Sequence, residues 1–438
     1  MVRFFWLVFV VWVLFRITLL SLSWNGNPDP AARDRVLRFF TQDDLQKGRD
    51  YTRNGFWAKF TSPFVQAAIL LTLIFTGWAA SGFGRIQSMT GAGFWTATII
   101  FLPALFFLLQ LFSAPFDYFL GFLGEKAMGF SNLTADQWCL LYAKRILVSW
   151  VLEIAGILLV LLTLKTFDRS WPLLIPCVTT GFCVVMTLLY PILITPLFYE
   201  QKPLAEGPLK QKILEISAQA NVPVAGIYEI DESRYSNHTN AYFTGLFSQK
   251  RIVLYDTLVK SHTVDESALI FAHEVGHWQH DHVLIGITLG FFGALLGCAL
   301  LWLGYPYLQA VPEFYLRELA HPANLPFFLL AIMVGNLFFA PVEAQISQYF
   351  ERQADQASLD LTGLQQTFID AETRLARDNR SELLPHPFRV FWLYSHPPAI
   401  ERIQIALDGK KAINVKTGLE PESEKPSTQP SAPEQNGH

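Results

Sequence analysis

Long, uninterrupted apolar stretches dominate the first half of the chain and return between residues 283 and 345. A helix needs about 20 residues to cross the ~30 Å hydrocarbon layer of a membrane. Only helices and closed barrels satisfy their backbone groups in that layer, and these stretches are continuous rather than alternating, so they predict membrane-spanning helices. The seven stretches of sufficient length are residues 4–24, 64–83, 94–113, 146–166, 172–198, 283–308 and 325–345.

Two polar segments interrupt and follow the apolar stretches. The first contains a helical pattern from Leu209 to Ala220 and then short runs rich in β-forming residues, which predict a small sheet. The second has the pattern of charged helices, and the chain beyond it is rich in Pro, Ser and Glu, a composition typical of disorder. The predicted fold is a mainly α, polytopic membrane protein with a small β-sheet. We divide the chain into 1–198 with five spans, 199–282 with the sheet, 283–345 with two spans, 346–413 with polar helices, and a disordered tail at 414–438.

Composition agrees with this fold and argues against some functions. Hydrophobic residues make up 51% and charged residues only 16% of the 438 residues, a balance typical of membrane proteins. A net charge of -4 and the absence of a basic run argue against a nucleic-acid partner. The four cysteines lie in or beside apolar stretches without a CxxC spacing, so we expect small buried side chains and no disulfide or metal framework.

The N-terminal stretch from Met1 to Ser23 resembles a secretory signal. Arg16 interrupts its apolar run and no small-residue cleavage site follows, so we expect a retained first span. With seven spans, the loops at 25–63 and 114–145 lie on the same side as both polar segments, and the first loop carries seven basic residues. By the positive-inside rule that side is cytoplasmic. Its basic residues are Arg33, Arg35, Arg38, Lys47, Arg49, Arg53 and Lys59.

The string His273-Glu274-Val275-Gly276-His277 is the strongest chemical signal in the chain. On a helix, residues four apart lie on one face, so both imidazoles can bind one zinc ion. The intervening Glu274 is placed to take a proton from the attacking water. Thr263 and Glu266 have the spacing of a capping box, so we expect a helix that begins near Thr263 and runs on into the next span.

Two other histidines follow this string, but they do not extend the motif. An HExxHxxGxxH pattern would require Gly at position 280 and His at position 283, where the chain has His280 and Val283. We therefore expect His280 and His282 to be solvated at the junction between helix and membrane.

A third ligand is available in the string "QYFERQADQAS", where Glu351 and Asp355 lie four residues apart. Glu351 can complete a His₂Glu site and leave the fourth position for water, as in catalytic zinc sites. Asp355 on the same helical face can orient a ligand histidine through its second ring nitrogen. A solvated acidic pair on an exposed helix would have the same spacing; the position of Glu351 after the last span favours the ligand.

With these motifs the sequence resembles the type 1 CAAX prenyl protease family of integral-membrane zinc metallopeptidases. The resemblance rests on "SNHTNAYFTGLFSQKRIVLYDTLV" (236–259), "LIFAHEVGHWQHDH" (269–282), "SQYFERQADQAS" (347–358) and "SHPPAIERI" (395–403), together with the seven apolar stretches.

The resemblance implies one Zn²⁺ per chain on His273, His277 and Glu351, with Glu274 as the base. It implies that His396 faces the oxyanion, and that Asp355 is a proton donor, whereas the spacing alone suggests an orienting role. Asn240, Ala241 and Tyr242 match a segment that pairs with extended substrate, a mode of strand addition. One departure is Gln348, where the family usually has Arg, so contacts to substrate or ligands near this position are expected to differ.

The predicted function is peptide-bond hydrolysis by a membrane-embedded zinc metalloendopeptidase, and the family resemblance implies that it processes the C-termini of prenylated or membrane-associated proteins. One alternative is a general quality-control metalloprotease. A second is a non-proteolytic scaffold or transporter with a structural zinc, against which Glu274 argues because a structural site needs no base. The expected partners are a peptide or protein substrate and the lipid bilayer, with the chain a monomer. We expect a multi-pass protein with a cytoplasmic active site, in a bacterial inner membrane rather than the endoplasmic reticulum.

Overall fold

The computed structural model describes residues 2–27, 29–245 and 251–417 of the chain. Seven helical segments in this part of the chain are long and apolar enough to cross a membrane, as the sequence predicts. The fold is therefore that of a mainly helical, multi-pass membrane protein. The seven segments are Val2–Asn25, Gln42–Phe75, Phe94–Ala127, Ala135–Thr166, Trp171–Phe198, His282–Gln309 and Pro322–Thr362.

The first ten helices form these first five segments and the connections between them. They pack through buried aromatic and aliphatic side chains, among them Trp12 and Phe83. Short π-helical turns at Phe119–Gly124 and Tyr190–Ile194 continue two of the helices. The helices are α1 (Val2–Asn25), α2 (Pro30–Val36), α3 (Gln42–Arg53), α4 (Phe56–Phe75), α5 (Trp78–Thr90), α6 (Phe94–Tyr118), α7 (Glu125–Ala127), α8 (Ala135–Thr166), α9 (Trp171–Leu189) and α10 (Thr195–Phe198).

The remaining helices belong to the polar segments and the last two spans. Three short 3₁₀ turns lie between them, at Glu232–Arg234, Pro312–Phe314 and Pro322–Asn324. The helices are α11 (Pro208–Gln219), α12 (Asp256–Ser261), α13 (Val264–Gln279), α14 (His282–Gln309), α15 (Leu325–Thr362), α16 (Gln365–Asp378), α17 (Pro387–Leu393) and α18 (Ala399–Thr417).

Two predicted helix boundaries are wrong, and both errors occur at residues with left-handed backbone. The predicted span 64–83 is not one helix, because α4 ends at Phe75 and Gly77 has φ of +67° before α5 begins. The predicted run from α13 into the next span is also broken. Asp281 has φ of +53°, so α13 ends at Gln279 and α14 begins anew at His282. At the C-terminus, α18 continues past the predicted start of the tail to Thr417, and residues 418–438 lie outside the described residues.

Within the described part of the chain, the predicted small sheet has four strands in the order β1-β2-β4-β3. β2 and β4 are parallel, and the other two pairs are antiparallel. β3 lies at one edge, where no other strand of the described residues pairs with it. The sheet packs on α11 and α13 through a buried apolar core. The strands are β1 (Gln201–Pro203), β2 (Gly226–Ile230), β3 (Ala241–Thr244) and β4 (Arg251–Tyr255).

The polar segments that were predicted to share one side of the membrane contact one another. Arg377 Nε of α16 lies 3.0 Å from Asp44 Oδ2 of α3, which joins the C-terminal segment to the first loop. His238 Nε2 lies 3.0 Å from Glu125 Oε2, which joins the sheet segment to the third span's polar end. Through these contacts the first loop, the polar end of the third span and both polar segments lie together at one end of the helical bundle.

The cysteine prediction is only partly confirmed. All four cysteines are free thiols, but only Cys298 is buried. Cys139, Cys177 and Cys183 are exposed on apolar helices, where the surface of the bundle would contact lipid rather than protein.

Candidate active site

The helix α13 that carries the HExxH string begins at the predicted capping box. Thr263 Oγ1 accepts a hydrogen bond from the Glu266 backbone N–H at 3.2 Å, and Glu266 Oε2 accepts from the Thr263 N–H at 2.7 Å. Arg374 Nε of α16 donates to the other carboxylate oxygen of Glu266 at 3.1 Å. The cap therefore both starts the helix and ties it to α16, which fixes where its histidines point.

Gly276 allows α13 to lie directly against α15. A Cβ at this position would lie 2.8 Å from Ala354 Cα and 3.0 Å from the Ala354 carbonyl oxygen, both in the backbone of α15. Backbone atoms cannot turn aside as a flexible side chain can, so the close approach of the two helices requires glycine here.

We expect Gly276→Ala to push α13 and α15 apart and to weaken metal binding, because the histidines and Glu351 lie on different helices. Overpacking of this kind costs about 1–3 kcal/mol. The measurement is Tm in detergent with and without added zinc. Gly290→Ala on α14 is the matched control, since nothing lies within 4 Å of a Cβ there. Equal Tm and equal zinc response in both variants would contradict this account of the helix contact.

Three predicted ligand side chains converge where α13 meets α15. His273 Nε2 and His277 Nε2 lie 3.2 Å apart. Glu351 Oε2 lies 3.2 Å from His273 Nε2, and Glu351 Oε1 lies 3.5 Å from His277 Nε2. Among the described residues, this trio is the group of His, Cys, Asp and Glu whose ligand atoms all lie close enough to hold one metal ion.

The donor set fits a tetrahedral zinc ion. Two ligand atoms about 2.1 Å from zinc at a tetrahedral angle are separated by about 3.4 Å, close to the spacings of this trio. Glu351 Oε2 is buried, and although it lies 3.2 Å from His273 Nε2 it forms no hydrogen bond of acceptable geometry among the described residues, which is costly unless a cation takes that place. Two imidazoles and one carboxylate are also the ligand set of open, catalytic zinc sites.

Each histidine is oriented through its second ring nitrogen. Asp355 Oδ1 accepts from His273 Nδ1 at 2.8 Å, which leaves Nε2 of His273 free for a metal. His282 Nδ1 lies 2.9 Å from His277 Nδ1, and His282 Nε2 lies 3.1 Å from Gln353 Oε1. With the amide oxygen of Gln353 as the acceptor, Nε2 of His282 carries the proton and Nδ1 of His282 is an acceptor. His277 then donates from its Nδ1, so its Nε2 is unprotonated and faces the metal site.

The expectation that His282 is solvated is therefore wrong, whereas His280 is exposed as predicted. His282 is only 5% exposed and its ring stacks on Phe350 with centroids 4.0 Å apart. The break at Asp281 turns the chain so that the first residue of α14 points back toward α15. A continuous helix would have placed this histidine elsewhere.

Asp355 is held in turn by a buried arginine that was not singled out from the sequence. Arg402 Nε donates to Asp355 Oδ2 at 2.9 Å, and Arg402 NH1 lies 2.8 Å from Glu372 Oε2. Asp355 is fully buried, Glu372 is 6% exposed and Arg402 is 9% exposed. Burial raises the pKa of Glu372 to about 7, against the attraction of Arg402. The contacts of Asp355 are those of an orienting residue, because its oxygens are occupied by His273 and Arg402.

We expect Arg402→Met to destabilise the protein strongly, because it leaves the carboxylates of Asp355 and Glu372 buried without their cation. Breaking a buried ion pair on one side typically costs about 3–5 kcal/mol. Thermal unfolding in detergent measures the loss. Glu401→Gln is the control, since Glu401 pairs with Arg352 only at the surface. A Tm for Arg402→Met equal to that of the control would show that the network does not support the site.

Glu274 lies beneath the edge of the sheet. Burial raises the pKa of its carboxyl, the neighbouring charge of Glu351 raises it further, and a hydrogen bond from the backbone N–H of Phe243 in β3 lowers it. The backbone N–H of Tyr255 donates to the carbonyl of Asn240 at 3.1 Å, so these two residues form a hydrogen-bonded pair. Hydrogen-bonded and non-hydrogen-bonded pairs alternate along the antiparallel strands, so the N–H of Phe243, three residues further on, points away from β4. The Ala241 N–H bonds to the Asn240 side chain at 2.9 Å. The predicted residues Asn240, Ala241 and Tyr242 thus lie at the start of an edge strand beside the proposed base.

His396 approaches the trio from the loop before α18. Its Nε2 lies 3.4 Å from Glu351 Oε1, and Nδ1 lies 2.8 Å from Ser395 Oγ. The side chain is 60% exposed, so it faces the open side of the site where a substrate would lie. Gln348 lies behind this loop and donates to the carbonyls of Val390 and Tyr394 at 2.9 Å each, so it supports the segment before His396.

A multi-pass helical bundle with an HExxH helix and a carboxylate from a second helix defines a membrane metallopeptidase. A family model described as Peptidase family M48 matches residues 203–409, and one described as "CAAX prenyl protease N-terminal, five membrane helices" matches residues 30–200. The chain belongs to the CAAX prenyl protease 1 family of these metallopeptidases, whose metal is typically zinc.

Individual relatives agree with this family. The chain is 32% identical to CAAX prenyl protease 1 of Saccharomyces cerevisiae, over 71% of this chain and 72% of that protein. It is 29% identical to the Bacillus subtilis protein named "Uncharacterized metalloprotease YhfN", over 70% of this chain and 73% of that protein. The crystal structure of S. mikatae Ste24p matches with a TM-score of 0.78 at 25% identity, covering 91% of this chain and 98% of that one.

Proposed function

We propose that His273, His277 and Glu351 hold one zinc ion per chain and that the site hydrolyses peptide bonds near the C-termini of prenylated proteins. The single observation that supports this most is the convergence of the three ligand atoms beside Glu274 and the sheet edge. All three ligands come from one chain, so the site is complete in a monomer. The basic first loop supports a cytoplasmic location, and residues 199–282 and 346–413 would form the catalytic unit there.

The proposed mechanism assigns a task to each neighbouring group. When bound, zinc would polarise the scissile carbonyl and make the attacking water more acidic. Glu274 takes the proton of that water and later delivers it to the leaving amine. An N–H of His396 donates a hydrogen bond to the oxygen that becomes negative in the transition state. The outer edge of β3 pairs with the extended substrate backbone and holds the scissile bond over Glu274.

Asp355 acts through His273 in this proposal rather than on the substrate. Its carboxylate fixes the ring of His273 and increases the basicity of Nε2. Arg402 and Glu372 fix Asp355 in turn. The proton-donor role implied by the family resemblance would require a free carboxyl facing the substrate, and the buried contacts of Asp355 favour the orienting role.

The test is metal analysis of the purified protein combined with cleavage of a farnesylated peptide and of the same peptide unmodified. We expect about one zinc per chain and faster cleavage of the farnesylated peptide. Equal cleavage of both peptides would replace the prenyl-protein substrate with general membrane-protein quality control. Bound zinc without any cleavage would favour the structural-zinc alternative and overturn the proposal.

A further inference from the structure

A cavity of about 630 Å³ opens beside the candidate active site, on the side of His396. His396 and Arg402 line one end of it, and the rest of the wall comes from the helices α1, α3, α4, α16 and α17 and from the segments that follow α16 and precede α18. The volume is in the range of pockets that bind small ligands. Leu19, Phe56, Leu375 and Leu393 contribute apolar surface to the wall. A short apolar peptide extending from the scissile bond could therefore occupy this space.

The cavity wall carries more positive than negative charge. Four cations, Lys59, Arg380, Arg389 and Arg402, line the cavity with two carboxylates, Glu372 and Glu382. The two carboxylates are already engaged, since Arg402 NH1 lies 2.8 Å from Glu372 Oε2 and Arg389 NH1 lies 2.8 Å from Glu382 Oε2. This leaves Lys59 and Arg380 as cations that form no ion pair within 4 Å among the described residues.

Arg380 is held in place although no carboxylate of the described residues forms an ion pair with it. Its guanidinium carbon lies 5.4 Å from the ring centroid of Phe130, and NH1 lies 3.4 Å from Met128 Sδ. Its backbone has φ of +48° at the end of α16, a left-handed conformation that is uncommon for any residue but glycine. The acidic group whose charge acts on Lys59 is Glu125. Both carboxylate oxygens of Glu125 already have partners: the Tyr51 hydroxyl donates to Oε1 at 2.9 Å, and His238 Nε2 lies 3.0 Å from Oε2.

We infer that this cavity binds the C-terminal end of the substrate and that Arg380 and Lys59 recognise its terminal carboxylate. The inference rests on the proposed function, because only a cut close to the C-terminus would place that carboxylate in the cavity. Arg380 offers a planar fork of donors that matches a carboxylate, and Lys59 adds a point charge. The apolar wall accepts the side chains between the scissile bond and the carboxylate. The protease would thereby select chain ends over internal sequences.

The experiment compares two peptides that differ only at the C-terminus, one with a free carboxylate and one with an amide. We expect the wild-type protein to prefer the carboxylate peptide by about tenfold or more in kcat/KM, mainly through KM. Arg380→Gln and Lys59→Gln should each reduce this ratio, and the double variant should bring it close to one. Arg38→Gln, an exposed cation away from the cavity, is the control and should keep the wild-type ratio.

The ratio between the two peptides decides the inference even if a variant is damaged overall. A wild-type ratio of one, or an unchanged ratio in both single variants and the double variant, would overturn it. A zinc-loaded wild-type protein that cuts neither peptide would contradict the proposed function instead. Peptide affinity measured with the Glu274→Gln protein then decides: equal affinity for carboxylate and amide peptides overturns the inference, and tighter binding of the carboxylate peptide that is lost with Arg380→Gln supports it.

Discussion

Glu274→Gln is expected to keep its zinc and lose its peptidase activity. The amide has nearly the shape of the carboxylate, and the three ligand side chains do not include Glu274, so the metal site should remain intact. The amide cannot accept the proton of the attacking water, and loss of a general base lowers the rate by a factor on the order of 10² to 10⁴. The measurements are zinc content by metal analysis and kcat on a cleavable peptide.

Asp265→Asn supplies the matched control, because it makes the same carboxylate-to-amide change at the exposed start of the same helix. Asp265 pairs there with Lys212 at the surface, where an ion pair contributes little to stability. Normal zinc content with normal cleavage in both variants would show that Glu274 is not the base. Loss of zinc from Glu274→Gln would show that the residue supports the metal rather than the chemistry.

The sequence predicts the membrane part of the fold well because its signal is local. A continuous apolar run of sufficient length can satisfy its backbone groups in lipid only as a helix or as part of a closed barrel, so the number of spans follows from the pattern alone. The pattern does not determine where each span ends. The end of α4 depends on the left-handed backbone of Gly77, and apolar residues continue on both sides of that glycine.

The candidate metal site was predictable because two of its ligands lie four residues apart on one helix. Glu351 was found through a second short motif and its position after the last span. The supporting residues were not found, because their partners are distant in the sequence. Arg402 meets Asp355 across 47 residues, and His282 meets Gln353 across 71. The string "SHPPAIERI" contains Arg402, so a charged residue six positions after His396 is the signal that could have found it.

Glu351→Ala is expected to lower bound zinc well below one per chain and to abolish cleavage with it. The substitution removes one of three ligands and leaves two imidazoles facing each other at 3.2 Å without a carboxylate between them. A ligand that binds only the folded state stabilises it in proportion to the logarithm of ligand concentration over Kd. The Tm of the wild-type protein in detergent should therefore rise with added zinc, and that of Glu351→Ala should rise much less.

Asp360→Ala removes another carboxylate from the same helix and separates a ligand effect from a general loss of charge. Asp360 is exposed and accepts a hydrogen bond at 2.8 Å from Gln356 one turn away, so zinc content and the zinc-dependent rise in Tm should match the wild type. Full zinc content in Glu351→Ala would remove Glu351 from the metal site. In the wild-type protein Glu351 would then interact with the imidazoles instead, since His273 Nε2 lies 3.2 Å from its Oε2 and His396 Nε2 lies 3.4 Å from its Oε1.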